Sequence, residues 1–228
     1  MHTIRNYIMA ESLEQAWELN QKGRNNVIIG GNLWLKMGNR NILNAIDLST
    51  LGLDRIEEDE GGFRIGCMAT LRDIEMHEGL NKEFQNLFKE AVRHIVGVQF
   101  RNCATVGGSI FPKLGFSDVL TAFLACDTQV ILYKKGEVSL REFIYMPLDN
   151  DILTHIYVKK DGRKTAYESF RMTETDFPTL TCAMAMVDGR FETVLGARPK
   201  HAEVVIDEEL ADSLSKEDVA SYAKRVID

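Results

Sequence analysis

The sequence QFRNCATVGGSI at residues 99–110 contains a Gly-Gly pair soon after a threonine, and VIIGGNLWL at residues 27–35 contains another pair. Gly30-Gly31 follows an apolar strand candidate and precedes a predicted helix start. Glycine has no Cβ, so backbone N–H groups in such turns can approach a phosphate closely, and a helix that begins there adds partial positive charge. A single Gly-Gly pair is more often a plain tight turn. Each pair alone is therefore a weak indication of phosphate binding.

The spacing of these glycines excludes two common nucleotide-binding motifs. Neither pair fits the G-x-G-x-x-G pattern of a Rossmann domain. The chain also has no G-x-x-x-x-G-K-[ST] sequence, which excludes a P-loop. If these turns bind phosphate, they do so in another fold.

Composition and charge exclude further classes of partner. The 228 residues carry a formal net charge of −7 and show no basic run, so nucleic acid is not expected as a partner. The N-terminus lacks the apolar segment of a signal peptide, and the apolar runs are far shorter than the roughly 20 residues that span a bilayer. We expect a cytoplasmic protein that does not enter the membrane.

The cysteines and histidines give no metal-binding pattern. Disulfide frameworks, zinc sites and iron–sulfur clusters use clustered cysteines, whereas those of this chain are widely spaced and form no C-x-x-C pair. We expect buried, reduced thiols at four positions: Cys67, Cys103, Cys126 and Cys182. The histidines also lack metal-ligand spacing, so no metal site is predicted.

Hydrophobic periodicity, capping residues and turn signals predict an α+β protein. Helices are expected at 13–21, 70–79, 82–95, 117–124 and 215–226, with a helix start at 32–37, and strands at 26–29, 45–48, 53–58, 63–67, 128–133, 152–159, 165–171, 180–187 and 191–197. The predicted helix caps are Ser12, Thr70 with Asp73, Ser117, and Ser215 with Asp218. Residues 60–62, EGG, predict a hairpin turn between the strands at 53–58 and 63–67. Asp188-Gly189 predicts a hairpin turn. The pattern divides the chain into three segments, 1–57, 58–165 and 166–228.

Four stretches together resemble the FAD-binding subunit of the xanthine dehydrogenase and carbon monoxide dehydrogenase group of molybdenum hydroxylases. Residues 27–35 resemble the family's LAGGTDLL, and residues 63–71 resemble LRIGAGVTL. Residues 99–110 are similar to QVRNVATIGGNI, and residues 118–132 to DTIPALLALDAEVVL. The resemblance implies a PCMH-type fold with two FAD-binding subdomains, 1–57 and 58–165. The third segment, 166–228, would be a reduced C-terminal α+β domain, because the chain ends some fifty or sixty residues early.

By this resemblance, FAD lies extended between the first and second segments. The backbone amides of the first turn would wrap the pyrophosphate: Ile29, Gly30, Gly31, Asn32, Leu33 and Trp34. Thr105, Gly107 and Gly108 would complete the phosphate and ribityl contacts. Asp118, preceded by Ser117, matches an acidic residue that binds cofactor hydroxyls. Ile95 falls where the family packs an apolar side chain on the adenine, although it could equally be a core residue that ends a helix.

The resemblance is weaker at the ring end of the cofactor. Arg171 and Asp176 occupy roughly the places of a basic residue and an aspartate near the flavin ring, but Arg171 is equally well explained as a salt-bridged surface residue. Arg101 is either a structural anchor, which is favoured, or an anion contact. The family's SPAGD is replaced by residues 114–118, LGFSD, and its GGNI asparagine by Ser109.

The resemblance implies an electron-transfer subunit without catalytic side chains of its own. Electrons would arrive from a molybdopterin-binding large subunit through a small subunit with [2Fe-2S] clusters, pass to FAD, and leave to NAD(P)⁺ or another acceptor. Two alternatives stay open: a self-sufficient FAD-dependent reductase or oxidase of the same fold, and a flavin-free scaffold subunit. Xanthine, nicotinate, another heterocycle or an aldehyde are all possible substrates of such a complex.

Overall fold

A computed structural model describes residues 3–199, 201–207 and 216–227. The helices are α1 (Leu13–Gln21), α2 (Leu33–Met37), α3 (Leu71–Met76), α4 (Glu78–Glu83), α5 (Leu87–Arg93), α6 (Val98–Arg101), α7 (Val106–Ile110), α8 (Asp118–Leu124), α9 (Leu140–Phe143) and α10 (Lys216–Ile227). The strands are β1 (Thr3–Met9), β2 (Asn26–Ile29), β3 (Asn41–Asp47), β4 (Ile56–Glu58), β5 (Gly62–Gly66), β6 (Thr128–Leu132), β7 (Gly136–Ser139), β8 (Leu153–Lys159), β9 (Lys164–Arg171), β10 (Pro178–Val187), β11 (Arg190–Gly196) and β12 (Glu203–Asp207). The predicted α+β class is confirmed.

The first sheet is parallel and has the strand order β1-β3-β2. Helix α1 connects β1 to β2, and Ser12 caps it as predicted, since its side chain accepts a hydrogen bond from the Gln15 N–H. Strand β1 was not predicted, because it lies at a sheet edge and most of its side chains are exposed. Strand β2 ends at Ile29, so Gly30-Gly31 lies directly at the end of a strand of this sheet.

The second sheet is antiparallel, with the order β4-β5-β8-β6-β7. The predicted hairpin between β4 and β5 is confirmed. Asp59 stabilises its turn, because Oδ1 accepts hydrogen bonds from the N–H groups of Gly61, at 2.7 Å, and Gly62, at 2.8 Å.

The helix expected over residues 82–95 is wrong, because the chain forms two helices, α4 and α5, with a break between them. Gln85 and Asn86 have φ values of 45° and 65°, which no α-helix accommodates. Asn81 stabilises the break: its Nδ2 donates to three carbonyls, including that of His77, and its Oδ1 accepts from the Lys89 N–H. The hydrogen bonds of the buried Asn81 side chain therefore stabilise the break, although the apolar residues keep helical spacing across it.

The third sheet is antiparallel, with the order β12-β11-β10-β9. The predicted turn at Asp188-Gly189 is confirmed, with φ values of 50° and 74°. Strand β12 was not predicted. Helix α10 packs against this sheet through Tyr222, whose hydroxyl lies 2.5 Å from Thr193 Oγ1. The expected capping residue Ser215 lies outside the described residues.

Helix α8 lies at the centre of the core, and all of its residues are buried. Phe123 on this helix packs against Phe88, with ring centroids 4.6 Å apart, and Phe88 packs in turn against Phe84. Helix α8 also contacts β10 and β11 of the third sheet. The start of α8 is therefore held by neighbours on several sides. In the part of the chain that the structure describes, no helix combines the length and the apolar character needed to cross a bilayer.

Candidate cofactor site

The two glycine turns pack directly against each other. A Cβ added at Gly31 would lie 1.6 Å from the carbonyl oxygen of Cys103, and one added at Gly30 would lie 2.3 Å from Thr105 Oγ1. Real Cβ atoms essentially never come closer than 3.0 Å to such neighbours. Both glycines are therefore required by close packing. The turns, more than 70 residues apart in sequence, form one place in the fold.

The first turn leaves polar groups available to a ligand. Asn32 has φ 57°, in the left-handed region, and its side chain does not cap α2, which begins at Leu33. The first N–H groups of a helix have no partner within the helix. Asn32 Oδ1 is buried and has no hydrogen-bond partner among the described residues. The turn between Ile29 and α2 thus combines the backbone N–H groups of a helix start with one side-chain acceptor that has no partner among the described residues.

The second turn is the start of helix α7, which was not predicted. Thr105 caps it by accepting a hydrogen bond from the Gly108 N–H at 3.1 Å, and the Gly107 N–H donates to the Cys67 carbonyl at 2.9 Å. A Cβ at Gly107 would lie 2.7 Å from that carbonyl oxygen. The amides of Gly107 and Gly108 are therefore engaged within the protein, so this turn contributes close packing and a helix start more than free donors.

Replacing Thr105 with valine is expected to lower the free energy of unfolding by about 1 kcal/mol, because α7 loses its capping oxygen. The shape of the side chain is retained. Ser12→Ala is the matched control, since it removes the cap of α1 away from the glycine turns. Chemical denaturation should show a similar loss in both variants, whereas FAD affinity should fall only in Thr105→Val. Equal FAD affinity in the two variants would contradict a role for Thr105 in the site.

Asp118, Tyr167 and Arg171 form a buried network at the start of α8. Asp118 Oδ1 accepts hydrogen bonds from the Tyr167 hydroxyl, at 2.6 Å, and from Arg171 Nη2. Burial raises the pKa of Asp118 above its ordinary value, although the bonds from Tyr167 and Arg171 oppose that shift. The Asp118 carboxyl is thus held in place by two partners from β9.

The Arg171 side chain is buried, with 7% of it exposed, and it forms an ion pair with Asp118. The alternative of a salt-bridged surface residue is therefore right about the ion pair and wrong about the exposure of the side chain. Arg171 donates from Nη1 to the backbone carbonyl of Asp176 at 2.5 Å, so the exposed Asp176 contacts it through the main chain. Its Nε is buried and has no hydrogen-bond partner within the described part of the chain. Tyr167 was not singled out from the sequence. The only available signal was its position four residues before Arg171, which places both side chains on one face of β9.

Ser117 connects this network to the glycine turns. Its hydroxyl donates to the Ser109 carbonyl at 3.0 Å and accepts from the Leu120 N–H, so it caps α8 and contacts the end of α7 at once. Helix α7 is capped by Thr105, which packs on Gly30. A continuous line of contacts therefore runs from the first turn, through α7, to Asp118 and Arg171.

Arg101 is a structural anchor, as favoured from the sequence. Its Nε and Nη2 donate to the two carboxylate oxygens of Glu75, at 2.8 and 3.2 Å, and its Nη1 donates to the carbonyls of Arg93 and Ile95. Ile95 is partly buried and packs against the hydrophobic core. This packing agrees with its reading as a core residue, while the adenine contact stays a prediction.

Two of the four cysteines are buried as expected, and two are not. Cys67 and Cys126 are buried, and Cys182 is half-buried, but Cys103 is exposed. Burial raises the pKa of Cys67 to about 12, so its thiol is protonated and inert near neutrality. Within the described residues, no three or more His, Cys, Asp or Glu side chains are grouped so as to hold a metal ion.

Comparison with known proteins identifies the family to which this chain belongs. Residues 2–158 match the family described as "FAD binding domain in molybdopterin dehydrogenase". The uncharacterized protein YgfM of Escherichia coli K12 is 26% identical over 195 residues, 81% of this chain and 71% of YgfM. The glyceraldehyde dehydrogenase medium chain of Sulfolobus acidocaldarius is 27% identical over 195 residues, 79% of this chain and 69% of that relative.

A solved structure supports the fold. A chain of carbon monoxide dehydrogenase from Hydrogenophaga pseudoflava superimposes with a TM-score of 0.83 and 24% sequence identity, covering 97% of this chain and 85% of that one. The mixed α/β fold of this chain is therefore that of the carbon monoxide dehydrogenase chain. The chain belongs to the family of FAD-binding domains in molybdopterin dehydrogenases and is an FAD-binding oxidoreductase subunit of the molybdenum hydroxylase type.

Proposed function

We propose that this chain receives electrons from [2Fe-2S] clusters of a small partner subunit and passes them through FAD to NAD(P)⁺ or another acceptor. A molybdopterin-binding large subunit would oxidise the substrate. One observation carries the proposal: the contact line from Gly30-Gly31 through α7 to Asp118 and Arg171. It connects several of the residues, from three segments of the chain, that the family resemblance assigns to one extended cofactor.

The residues along this line fit FAD chemically. FAD needs N–H donors at its pyrophosphate, partners for its sugar and ribityl hydroxyls, and donors at its ring carbonyls. The first turn offers helix-start amides and the unpaired acceptor Asn32 Oδ1, and the other end offers the unpaired donor Arg171 Nε. Buried polar groups without partners are rare in folded proteins. A ligand with both donors and acceptors would satisfy them.

The individual roles are part of the proposal. The amides of residues 29–34 would bind the pyrophosphate, with Thr105, Gly107 and Gly108 shaping the opposite wall. Residues 1–57 and 58–165 would form the two FAD-binding subdomains, and 166–228 the C-terminal domain. The remaining residues would complete the site from the adenine end to the ring end: Ile95, Ser117, Asp118, Arg171 and Asp176.

FAD bound at this site would supply the redox chemistry, since a flavin can take up electrons singly and release two as a hydride. The protein would bind the cofactor, orient it and exclude water. The Sulfolobus relative is named as a medium chain, which supports a multi-chain enzyme for this protein as well.

Purification of the tagged chain from its own cells tests the proposal. We expect FAD at one per chain, with co-purifying molybdenum and iron, and reduction of the bound FAD by NADH or NADPH under anaerobic conditions. Turnover of an organic substrate by the isolated chain would support a self-sufficient reductase or oxidase instead. A chain that purifies with molybdenum and iron but lacks the visible absorbance of flavin would be a scaffold.

A further inference from the structure

One nitrogen of the Arg171 guanidinium, Nε, makes no hydrogen bond to the described part of the chain. Its Nη1 and Nη2 are bound by the Asp176 carbonyl and by Asp118, whereas Nε is buried and unpaired among the described residues. Leaving such a buried group without a partner is unfavourable, and more so when the group is charged. Two fixed contacts also restrict the guanidinium plane. The free donor is therefore held in a set direction.

Tyr167 affects how much of the positive charge of Arg171 is compensated by Asp118. Burial and the neighbouring Asp118 charge raise the pKa of Tyr167 far above its ordinary value, so the hydroxyl keeps its proton and donates. It donates to Oδ1 of Asp118, the same oxygen that accepts from Arg171. The two donors share this oxygen, so the negative charge of the Asp118 carboxylate is compensated by both. Without the Tyr167 hydroxyl, Arg171 would compensate more of that charge.

We propose that Tyr167 is a positioning residue that acts on Arg171 through Asp118. Because Tyr167 shares the Asp118 carboxylate, Arg171 keeps its Nε donor directed toward the electron-accepting ring of FAD. Arg171 also keeps part of its positive charge for that ring. The inference rests on the proposed function. A positive donor at the ring carbonyls stabilises the negative charge that the ring gains on reduction. Arg171 thus raises the midpoint potential of bound FAD, and Tyr167 supports that effect without touching the cofactor.

Dye-equilibrium titration of the full-length chain, loaded with FAD, tests this inference. Arg171→Met should lower the preference for reduced FAD about tenfold, equal to about 30 mV for a two-electron couple. Arg171→Lys, which keeps the charge, should recover most of that loss. Tyr167→Phe should lower the potential by a smaller amount, and the double variant Tyr167→Phe/Arg171→Met should match Arg171→Met alone, because Tyr167 acts through Arg171.

Two controls separate this role from a structural one. Tyr157→Phe also removes a tyrosine–aspartate hydrogen bond, to Asp59 at an exposed hairpin, and should leave the potential unchanged. Tyr167→Phe and Arg171→Lys retain side-chain size, so they keep the test decisive if Arg171→Met does not fold. An unchanged potential in FAD-loaded Tyr167→Phe, or additive effects in the double variant, would overturn this inference but not the proposed function. Failure of the wild-type chain to take up FAD would overturn the proposed function as well.

Discussion

Gly31→Ala is expected to abolish FAD binding and to lower the free energy of unfolding by about 3 kcal/mol. The added Cβ would lie 1.6 Å from the carbonyl oxygen of Cys103, so the two turns must separate. That oxygen belongs to the backbone and cannot move aside as a side chain does. Chemical denaturation and the visible absorbance of bound flavin measure the two effects.

Gly23→Ala is the matched control for this prediction. A Cβ at Gly23 meets nothing within 4 Å, and the residue lies between α1 and β2, away from the second turn. Its stability and FAD content should match those of the wild type. If Gly31→Ala also retained both, the close contact between the two turns would not exist in solution.

Arg101→Met is expected to lower the free energy of unfolding by about 3 kcal/mol, because it leaves the buried Glu75 carboxylate without its two-point partner. Arg72 still pairs with Glu75 at 2.9 Å, which limits the loss. Arg93→Met is the control: it removes an exposed ion pair with Glu90 and should leave stability nearly unchanged. Equal stability of the two variants would contradict the anchoring role of Arg101.

The same pair predicts how stability depends on pH. Burial alone would raise the pKa of Glu75, but the hydrogen bonds and charges of Arg101 and Arg72 outweigh it and hold the pKa below its ordinary value. The stabilisation is therefore present above the ordinary glutamate pKa, about 4.3, and is lost as the pH falls through the lowered folded value. Unfolding measured between neutral and acid pH should show a shallower acid loss in Arg101→Met than in the wild type.

Local chemistry made several parts of the fold predictable. The caps Ser12, Thr70 and Ser117, and the turn at Asp188-Gly189, depend on residues a few positions apart, and the structure confirms them. The capping box of Thr70 and Asp73 is complete, with each side chain bonded to the other's backbone N–H.

Other features depend on contacts that extend beyond one helical turn or join separate elements. The break before Asn86 is stabilised by Asn81, whose carbonyl partners lie in an earlier turn. Strand β12 pairs with β11 at the edge of the third sheet, a contact that the local sequence does not indicate. The network of Asp118 with Tyr167 and Arg171 joins residues about fifty positions apart, so no local pattern could show it.

The pyrophosphate end and the ring end of the site could be predicted to different extents. The contact of Gly31 with Cys103 agrees with the grouping of both glycine turns into one site, which came from four stretches read together. Asp118 was assigned to cofactor hydroxyls, but the structure shows that Oδ1 is already bonded to Tyr167 and Arg171. Because Asp118 Oδ1 is already bonded, the polar atom without a partner at this end of the site, among the described residues, is Arg171 Nε.

A crystal structure of the full-length chain with FAD tests the central claim most directly, namely that the two glycine turns and the Asp118–Arg171 network form one cofactor site. We predict that the pyrophosphate lies against residues 29–34, that Asn32 Oδ1 gains a hydrogen-bond partner, and that Arg171 Nε donates to the flavin ring. FAD bound elsewhere on the chain, or at the glycine turns with Arg171 Nε still unpaired and distant from the ring, would contradict the account.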